Sequence, residues 1–348
     1  MEWQRALPGR SPVAVVAGVI RREDDAVLIS LRRRDVHQGG LWEFPGGKLE
    51  RRERAVDGLA RELYEEIGIR VRHAVPLIRV LHAYSDKRIV LEVLEVRDWG
   101  GHAHGREGQD IRWTTVDALP AYAFPAANTP VITAARLPGL VVVAGGAGAD
   151  EGAFLARLEA GLEAGIRLLL YAPRNEERAR IERVGTRVAE LCARYGARLM
   201  TEGRSGDWAA FPIAGLHLGP VHLRETNERP IARDLLLSAA CRNRGDLLHA
   251  QAIGVDFAYL WPVRRTRDCA MDDGLGWHGV HRLAKYTTMP VYAAGGLCAQ
   301  DARLARRAGC QGIALSSQYW DAAEPAVLVS ACQAAIEASA YSVTHSPA

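Results

Sequence analysis

The stretch that most constrains what this chain can fold into runs from Gly46 to Ile69 and reads GGKLERRERAVDGLARELYEEIGI. On a helix of about 3.6 residues per turn, three of its glutamates share one stripe and four apolar residues form another. These are Glu62, Glu65 and Glu66, beside Val56, Leu59, Leu63 and Ile67. Gly68 follows where a helix ends easily, because glycine adopts left-handed backbone angles at little cost. The pattern predicts an amphipathic helix with one buried face and one face crowded with carboxylates.

The carboxylate stripe indicates a metal site. Like charges at this spacing repel one another, so a hard cation bound among them would stabilise the arrangement. Carboxylate oxygens suit Mg2+ or Mn2+. A solvated charged face is the alternative for any glutamate-rich helix. The adjacent Gly46 and Gly47 favour the metal site, since backbone without a Cβ can come close to a metal or a phosphate.

The whole stretch resembles the Nudix box. The matching positions, read in order, are Gly47, Glu53, Arg61-Glu62-Leu63, Glu65-Glu66 and Gly68-Ile69. The resemblance implies a divalent-metal pyrophosphohydrolase that acts on a nucleoside diphosphate linked to another group. It also implies the fold of that family, an α/β/α sandwich built on a mixed sheet.

The surrounding sequence is similar to the MutT branch of that family, the 8-oxo-dGTP diphosphatases. The similarity rests on LWEFPGGKLE before the helix, REGQ at residues 106–109 and FPAANTPVI at residues 124–132. It implies Mg2+-dependent hydrolysis of a nucleoside triphosphate to the monophosphate and pyrophosphate. With 8-oxo-dGTP as the substrate, the enzyme would sanitise the nucleotide pool and so serve DNA repair and mutation avoidance.

The resemblance also implies roles for individual residues. The metal would be held by the Gly46 carbonyl and by the carboxylates of Glu62, Glu65, Glu66 and Glu107. Arg61 would orient these glutamates through charge-assisted hydrogen bonds, with Glu53 supporting the loop and the start of the helix. Glu65, Glu66 and Glu107 all remain candidates for the general base that accepts a proton from the attacking water.

The substrate-binding residues implied by the same resemblance are Arg32, Phe44, Lys87 and Asn128. Arg32 would contact phosphate, Phe44 would line the base pocket, and Asn128 would recognise the purine with its amide donor and acceptor. Lys87 matches only approximately, because the MutT pattern has an arginine near this edge of the pocket. Core packing for Phe44, a turn for Asn128 and a solvated basic patch for Arg32 are the structural alternatives.

Around the box, short apolar runs predict the strands of a mixed sheet. Residues 13–20 and 26–31 are separated by an acidic turn and are expected to form a hairpin. Residues 74–83 and 88–96 form a second predicted hairpin, and residues 111–113 a last short strand.

Length and composition bound the rest. The chain has 348 residues, enough for two domains that each bury a core, and its net charge of +3 is too small to argue for binding to duplex nucleic acid. No apolar run reaches the length of a membrane span and the first ten residues lack an apolar signal core, so we expect a cytoplasmic protein. The six cysteines show no metal-ligand spacing and are expected to be buried, reduced thiols.

Eight apolar runs in the second half alternate with helical stretches and predict a (β/α)8 TIM barrel. They span residues 140–144, 167–171, 198–201, 215–218, 235–240, 256–261, 291–294 and 312–316. Nearly continuous apolar character is typical of parallel strands that are covered on both faces.

The ends of these runs resemble thiamine-phosphate synthase and the related thiazole tautomerase. The matching pieces are GLHLG (215–219), WPVRRT (261–266), GLGW (274–277), PVYAAGGL (290–297) and GIALSS (312–317). The resemblance implies a cradle for a phosphate-bearing ligand formed by Gly295, Gly296, Ser316 and Ser317. Positions that carry the family's chemistry are changed: Leu169 and Tyr171 replace a Gln-x-Arg, Thr201-Glu202 replaces Asn-Asp, and His222 replaces an acidic residue. We therefore expect a degenerate barrel.

The predicted organisation is a Nudix domain (1–134), a linker (135–139), a barrel (140–338) and a C-terminal tail (339–348). Three alternatives for function stay open: a Nudix hydrolase of a thiamine-pathway pyrophosphate, a bifunctional hydrolase and synthase, and a non-enzymatic sensor of a phosphate ligand.

Overall fold

The fold was analysed in a computed structural model that describes residues 11–36, 38–174, 176–204, 210–266 and 273–343. The chain divides into two compact units. The first comprises Met1–Arg136 together with Ser339–Ala348, and the second comprises Leu137–Ala338. Each unit is described by itself below.

Two small sheets form the first unit. A mixed four-stranded sheet has the order β1-β5-β4-β15, and a three-stranded antiparallel sheet has the order β3-β2-β6. The strands are β1 (Val13–Ile20), β2 (Val27–Leu31), β3 (Trp42–Glu43), β4 (Ile69–Ala83), β5 (Arg88–Gly101), β6 (Ile111–Thr114) and β15 (Tyr341–Ser342). The predicted mixed sheet is confirmed, and the hairpin of β4 with β5 is longer than its apolar core suggested.

Two helices of the described residues pack on this framework and produce the predicted α/β/α sandwich. Helix α1 (Ala55–Ile67) buries its apolar stripe, with Val56 2% and Leu59, Leu63 and Ile67 each 0% exposed. It ends as predicted at Gly68, whose φ of 73° is left-handed. Helix α2 (Thr129–Arg136) belongs to a separate apolar cluster that includes Ala17 and Val19 of β1. Strand β1 thus contributes to two cores, one with each helix.

The predicted hairpin of β1 with β2 is wrong. The acidic turn forms, with the Asp25 amide donating to the Arg22 carbonyl and the Arg22 amide to the Ala26 carbonyl, both at 3.0 Å, but beyond it the pairing stops at an isolated bridge between Arg21 and Val27. Strand β1 instead pairs in parallel with β5, from Val13 opposite Ile89 to Ile20 opposite Val96. The last five residues of β1 are all buried, as expected of a strand that is covered on both of its faces.

All eight predicted runs of the second half are strands of one closed parallel barrel, which confirms the (β/α)8 prediction. They are β7 (Leu140–Ala144), β8 (Leu168–Tyr171), β9 (Arg198–Glu202), β10 (Gly215–Leu218), β11 (Leu236–Cys241), β12 (Phe257–Leu260), β13 (Val291–Ala294) and β14 (Gly312–Leu315). The barrel closes through the pairing of β14 with β7.

Helices follow the barrel strands along the chain. They are α3 (Glu151–Glu163), α4 (Arg178–Arg194), α5 (Pro220–Glu225), α6 (Arg244–Ala252), α7 (Gly276–Ala284), α8 (Asp301–Arg307), α9 (Ser317–Trp320) and α10 (Pro325–Glu337). One apolar cluster joins strands to helices, while a second draws mainly on the strands and fills the barrel interior, with Phe257, Tyr259 and Tyr292 in mutual ring contact.

The segment after the barrel returns to the first unit. Tyr341 pairs with Ala74 and Ser342 with His73, so β15 extends the mixed sheet along β4. The Val343 amide donates to the Arg72 carbonyl at 3.3 Å, and the Val343 side chain packs against the core beneath α1. These residues of the predicted tail are therefore part of a sheet.

The cysteines agree with the expected buried thiols in most places. Cys192, Cys241, Cys310 and Cys332 are buried and free, while Cys298 is half-buried. Cys269 lies outside the described residues. Burial raises the pKa of the Cys192 thiol to about 12. Among the helices of the described ranges, none combines the length and apolar character needed to cross a membrane.

Candidate active site

The glycine pair places the loop before α1 directly against strand β1. The Val16 amide donates to the Gly47 carbonyl at 2.8 Å, and the Gly18 amide donates to the Pro45 carbonyl at 2.9 Å. A Cβ at Gly46, whose φ is 151°, would stand 2.2 Å from the Val16 carbonyl oxygen. A Cβ at Gly47 would stand 2.2 Å from Glu62 Oε2. Glycine at both positions is thus what lets the loop backbone lie between β1 and the carboxylates of the helix.

Arg61 ties the loop to the helix through several charge-assisted hydrogen bonds. Its Nε and Nη2 donate to the two oxygens of Glu53, both at 3.0 Å. Its Nη1 donates to Glu62 at 2.9 Å, and Nη2 reaches the Lys48 carbonyl at 3.2 Å. The guanidinium holds the pKa of the Glu53 carboxyl below its usual range. This fork geometry supports the orienting role expected of Arg61 and the supporting role expected of Glu53.

Glu65 differs from its neighbours on the stripe. Its side chain is 57% exposed, and its one ion pair, with Arg61, spans 3.4 Å. Glu62 is only 15% exposed. Among the three carboxylates of the helix, Glu65 is the one that faces solvent.

Glu66 has the most perturbed environment among them. Burial, followed by the charges of Glu43, Glu62 and Glu107, raises the pKa of its carboxyl to about 8, against an opposing backbone hydrogen bond from Gly46. Four carboxylates therefore lie close enough to disfavour one another's ionisation.

The loop that carries Glu107 is fixed to the end of α1. The Arg106 amide and the Gln109 side-chain amide both donate to the Glu66 carbonyl, at 2.8 and 2.9 Å. The Gln109 side-chain oxygen accepts from the Glu107 amide at 2.9 Å. These bonds explain how the REGQ segment, 40 residues along the chain, brings its carboxylate to the box.

The donor set suits a divalent cation. A bound cation would relieve the repulsion around Glu66, and the Gly46 backbone lies against that carboxylate. Across the described ranges, however, no group of three or more His, Cys, Asp or Glu side chains is already gathered closely enough to hold a metal ion. One reason is that the Glu62 carboxylate accepts a hydrogen bond from Arg61, which keeps it with the guanidinium instead of with the other carboxylates.

A cavity of about 330 Å³ joins the carboxylates to the predicted substrate residues. Its lining includes Gly46, Glu66 and Glu107 of the predicted metal site as well as Arg32, Phe44, Lys87 and Asn128 of the predicted substrate site. Glu53, Arg61, Glu62 and Glu65 do not line it. The volume is that of a small-molecule pocket.

The base side of this cavity is largely apolar and buried. Phe44 is 2% exposed and its ring lies 5.5 Å from that of Phe124. Asn128 is 8% exposed at the end of the 3₁₀ turn Ala126–Asn128. A buried amide beside aromatic rings is suited to reading the edge of a base.

Glu43 and Tyr84 are among the lining residues that sequence analysis did not single out. Glu43 forms an ion pair with Arg32, so the expected phosphate contact of Arg32 coexists with a carboxylate partner. Tyr84 lines the cavity near the tip of the β4–β5 hairpin. Glu43 stands inside the LWEFPGG motif, and its position next to Phe44 was the available signal; nothing local distinguishes Tyr84 from other hairpin residues.

The barrel residues expected to bind phosphate have structural explanations. Gly295 and Gly296 have φ values of 93° and 68°, and a Cβ on either would stand 2.9 Å from the segment Trp261–Arg265. Ser316 precedes the short helix α9, which begins at Ser317. Arg264, above Gly296, is engaged by Asp301 through two hydrogen bonds of 2.7 Å.

A second cavity, of about 300 Å³, lies beside β9 and α5 in the second unit. Its lining includes His222 and Glu225, and none of the four predicted phosphate residues is among the described residues that line it. His222 lies on helix α5, and its Nδ1 is buried without a hydrogen-bond partner in the described part of the chain.

The changed positions on strand β8 point away from the barrel interior. Leu169 and Tyr171 belong to the apolar cluster shared with the helices, whereas Leu168, Leu170 and Ala172 belong to the interior cluster. Neither face of the strand offers a charged side chain to a ligand, so this strand supplies no arginine for a pyrophosphate in either register.

Comparison with known proteins agrees with this division. Residues 16–134 match the family described as NUDIX domain, and residues 140–319 match the family described as Thiamine monophosphate synthase. The chain is 37% identical over 118 residues to an 8-oxo-dGTP diphosphatase of Escherichia coli, covering 34% of this chain and 92% of the relative. It is 33% identical over 122 residues to a CTP pyrophosphohydrolase of the same organism, covering 35% of this chain and 90% of the relative.

A solved structure supports the fold of the second unit. The thiamine phosphate pyrophosphorylase from Pyrococcus furiosus superposes with a TM-score of 0.50 at 20% identity, covering 62% of this chain and 99% of that one. At this identity the likeness concerns the fold alone.

Proposed function

The chain belongs to the Nudix family through residues 16–134 and to the thiamine monophosphate synthase family through residues 140–319, and we propose that its first unit is a Mg2+-dependent 8-oxo-dGTP diphosphatase. The coarser assignment, a nucleotide pyrophosphohydrolase acting on phosphoric anhydrides, follows from the relatives. The observation that supports the 8-oxo-dGTP assignment is that Glu66 and Glu107 line the same cavity as Phe44 and Asn128.

Gly46, Glu62, Glu65, Glu66 and Glu107 are the proposed metal-binding set. When bound, Mg2+, or Mn2+ in its place, supplies Lewis-acid chemistry, polarising phosphoryl oxygens and lowering the pKa of a water molecule. Glu65 would have to turn from solvent towards the cavity to take part, whereas Glu66 and Glu107 already line it.

The residues of the chain divide the remaining work. Arg61 holds Glu62 and Glu53 in place, and the proton released by the attacking water passes to a carboxylate of the cavity. Glu66 and Glu107 fit that role better than Glu65, because they line the cavity. Without metal, burial and the neighbouring carboxylates raise the pKa of Glu66, and a bound cation would lower it again by stabilising the ionised form.

Phe44 and Asn128 would bind the oxidised purine. In 8-oxoguanine, N7 becomes a donor and C8 carries a carbonyl, so discrimination requires polar groups fixed in a desolvated pocket. Asn128 offers both hydrogen-bond types at 8% exposure. Lys87 at the rim and Arg32 with its partner Glu43 would face the sugar and phosphates. Acting on the free nucleotide pool, such an enzyme would limit mutation.

One kinetic comparison tests the proposal. We expect kcat/KM for 8-oxo-dGTP to exceed that for dGTP by at least about tenfold, since the two differ at the edge that the pocket reads. Release of the monophosphate product is followed by chromatography, with and without Mg2+. Absence of Mg2+-dependent turnover on any nucleotide would remove the hydrolase assignment.

A thiamine-pathway pyrophosphate is a second candidate substrate, favoured by the family of the second unit. Hydroxymethylpyrimidine pyrophosphate, included in the same comparison, decides between the two. A higher kcat/KM for this compound than for 8-oxo-dGTP would replace the nucleotide as the proposed substrate. The barrel's own ligand would then be sought among phosphate-bearing compounds of the same chemistry, with Gly295, Gly296, Ser316 and Ser317 as the first positions to vary.

A further inference from the structure

Tyr84 is held in a defined position at the wall of the first unit's cavity. Its backbone amide donates to the Lys87 carbonyl at 2.8 Å, which closes the tip of the β4–β5 hairpin. The ring of His82 packs edge-on against the Tyr84 ring, with centroids 4.5 Å apart. The Lys87 ammonium lies 6.0 Å from the Tyr84 ring centroid. Backbone and ring contacts together fix where the hydroxyl points.

The Tyr84 hydroxyl reaches a different element. It accepts a hydrogen bond from the backbone amide of Ala127, in the 3₁₀ turn that ends at Asn128. Two residues of this turn are buried, with Ala127 1% and Asn128 8% exposed. The hydroxyl therefore joins the hairpin to the segment that presents the Asn128 side chain to the cavity.

The turn needs such an anchor. It comprises three residues, and its backbone bonds are those of the Asn128 amide to the Pro125 carbonyl, at 2.9 Å, and of the Thr129 amide to the Ala126 carbonyl. A 3₁₀ turn has poorer hydrogen-bond geometry than an α-helix, so it holds a side chain less firmly. An external acceptor for the Ala127 amide satisfies a donor that the turn leaves open and fixes the turn against the hairpin.

We infer that Tyr84 is a positioning residue for base recognition, acting through the Ala127 amide to hold Asn128 at the angle at which its amide meets the purine edge. The inference rests on the proposed function, because it assigns Asn128 to the base. The Tyr84 hydroxyl contacts the turn that carries Asn128, so we assign its contribution to binding of the base rather than to the phosphoryl chemistry.

Tyr84→Phe removes only the hydroxyl and leaves the ring contacts with His82 and Lys87. We expect KM for 8-oxo-dGTP to rise on the order of tenfold with kcat little changed, since the lost interaction serves binding. Hydrolysis of CTP, which lacks the purine edge, should change much less. The ratio of kcat/KM for 8-oxo-dGTP to that for CTP should therefore fall.

Tyr122→Phe is the matched control. The Tyr122 hydroxyl also forms hydrogen bonds, with Thr114 and Arg112, but Tyr122 does not line the cavity. Removing this hydroxyl should leave the ratio of kcat/KM for 8-oxo-dGTP to that for CTP as it is in the unmodified chain. A fall in the ratio with both variants would overturn the inference, because any loss of a tyrosine hydroxyl in the unit would then suffice.

A double-mutant cycle tests the route through Asn128. Asn128→Ala alone should lower kcat/KM for 8-oxo-dGTP by on the order of 10- to 100-fold, the effect of an unpaired buried polar group. If Tyr84 acts through Asn128, the double variant should be no worse than Asn128→Ala. Additive losses, or equal losses on 8-oxo-dGTP and CTP, would make Tyr84 a merely structural residue and overturn the inference.

The same experiment separates this inference from the proposed function. If the unmodified chain does not prefer 8-oxo-dGTP, the proposed function fails whatever the variants do. If it does prefer 8-oxo-dGTP and Tyr84→Phe keeps the full preference, only the positioning role fails.

Discussion

At the scale of single residues, the carboxylates of the first unit differ more than their sequence pattern suggests. Glu53 and Glu62 are held by Arg61, Glu65 faces solvent, and Glu66 lies buried among other negative charges. Burial without a positive partner is costly for a carboxylate, and such groups concentrate at sites that bind cations or transfer protons. Glu66 is therefore the residue whose replacement is most informative.

Glu66→Gln should lower kcat by on the order of 10²-fold or more with the fold intact, because it removes a charged group from the reacting centre while keeping size and helix propensity. Turnover of 8-oxo-dGTP and the circular-dichroism spectrum check the two parts of this expectation. Glu50→Gln, at an exposed position outside the cavity, is the control and should keep near-normal turnover. Near-normal turnover of the Glu66 variant would contradict the metal-site assignment.

The raised pKa of Glu66 also predicts how stability depends on pH. Because its carboxyl has a pKa of about 8 when folded and an ordinary value of 4.5 otherwise, the folded chain binds more protons between these pH values. Stability without metal should therefore fall as pH rises from about 4.5 to 8 and change little above that. Tm measured in a chelator at several pH values checks this.

Two companion measurements identify the group responsible. In the Glu66→Gln variant, Tm should fall much less over this pH range, since the glutamine side chain has no proton to release. Mg2+ should offset the fall in the unmodified chain, because a cation stabilises the ionised carboxylates. If the dependence of Tm on pH survives in the Gln variant, other groups are responsible. The first candidate is Glu43, because burial also raises the pKa of its carboxyl.

At the scale of elements, local pattern predicted helices better than strand pairing. Helix α1 was predicted from its apolar stripe and ends at the expected glycine, because both features depend on residues within one or two turns. The partner of β1 was predicted wrongly, because its neighbour β5 lies about 75 residues away and a pairing over that distance leaves no local pattern. Strand β15 could not be predicted, because a segment of two residues is too short to show the alternation of apolar and polar residues that marks a strand.

A chain that ends at Ala340 tests the contribution of β15. It loses the pairing of Tyr341 and Ser342 with β4 and the packing of Val343 against the core of α1. We expect the Tm of the first unit to fall by roughly 2–8 °C, the shift that corresponds to about 1 kcal/mol in a domain of this size. Turnover at low temperature should be unchanged, since β15 does not line the cavity. An unaltered Tm would show that the strand adds no stability.

At the scale of the whole molecule, the chain combines a unit with a complete box and a barrel whose family positions are altered. Every described residue that lines the first cavity precedes Thr129, so the proposed hydrolase site is built from residues of the first unit. The barrel interior is filled by Phe257, Tyr259 and Tyr292. These features agree with a hydrolase that does not need the barrel for its chemistry.

A fragment of residues 1–137 should therefore hydrolyse the preferred nucleotide with kcat near that of the full chain. It lacks β15, so it should also show the lower Tm expected of the chain that ends at Ala340. Activity and melting of the purified fragment check both statements. A well-folded fragment without activity would show that the barrel contributes to the first site.

The sequence by itself determined the box helix and the barrel class, because each leaves a periodic or contiguous pattern within a short window. The sandwich class and the proposed carboxylate set, whose Glu107 lies about 40 residues after the helix, followed from the family resemblance. The tertiary structure alone decided which residues share the cavity. Glu43 pairs with Arg32, Tyr84 reaches the turn of Asn128, and Glu65 faces solvent. These outcomes depend on strand register and side-chain direction across elements that are distant in the chain, and such contacts leave no local signal in the order of the residues.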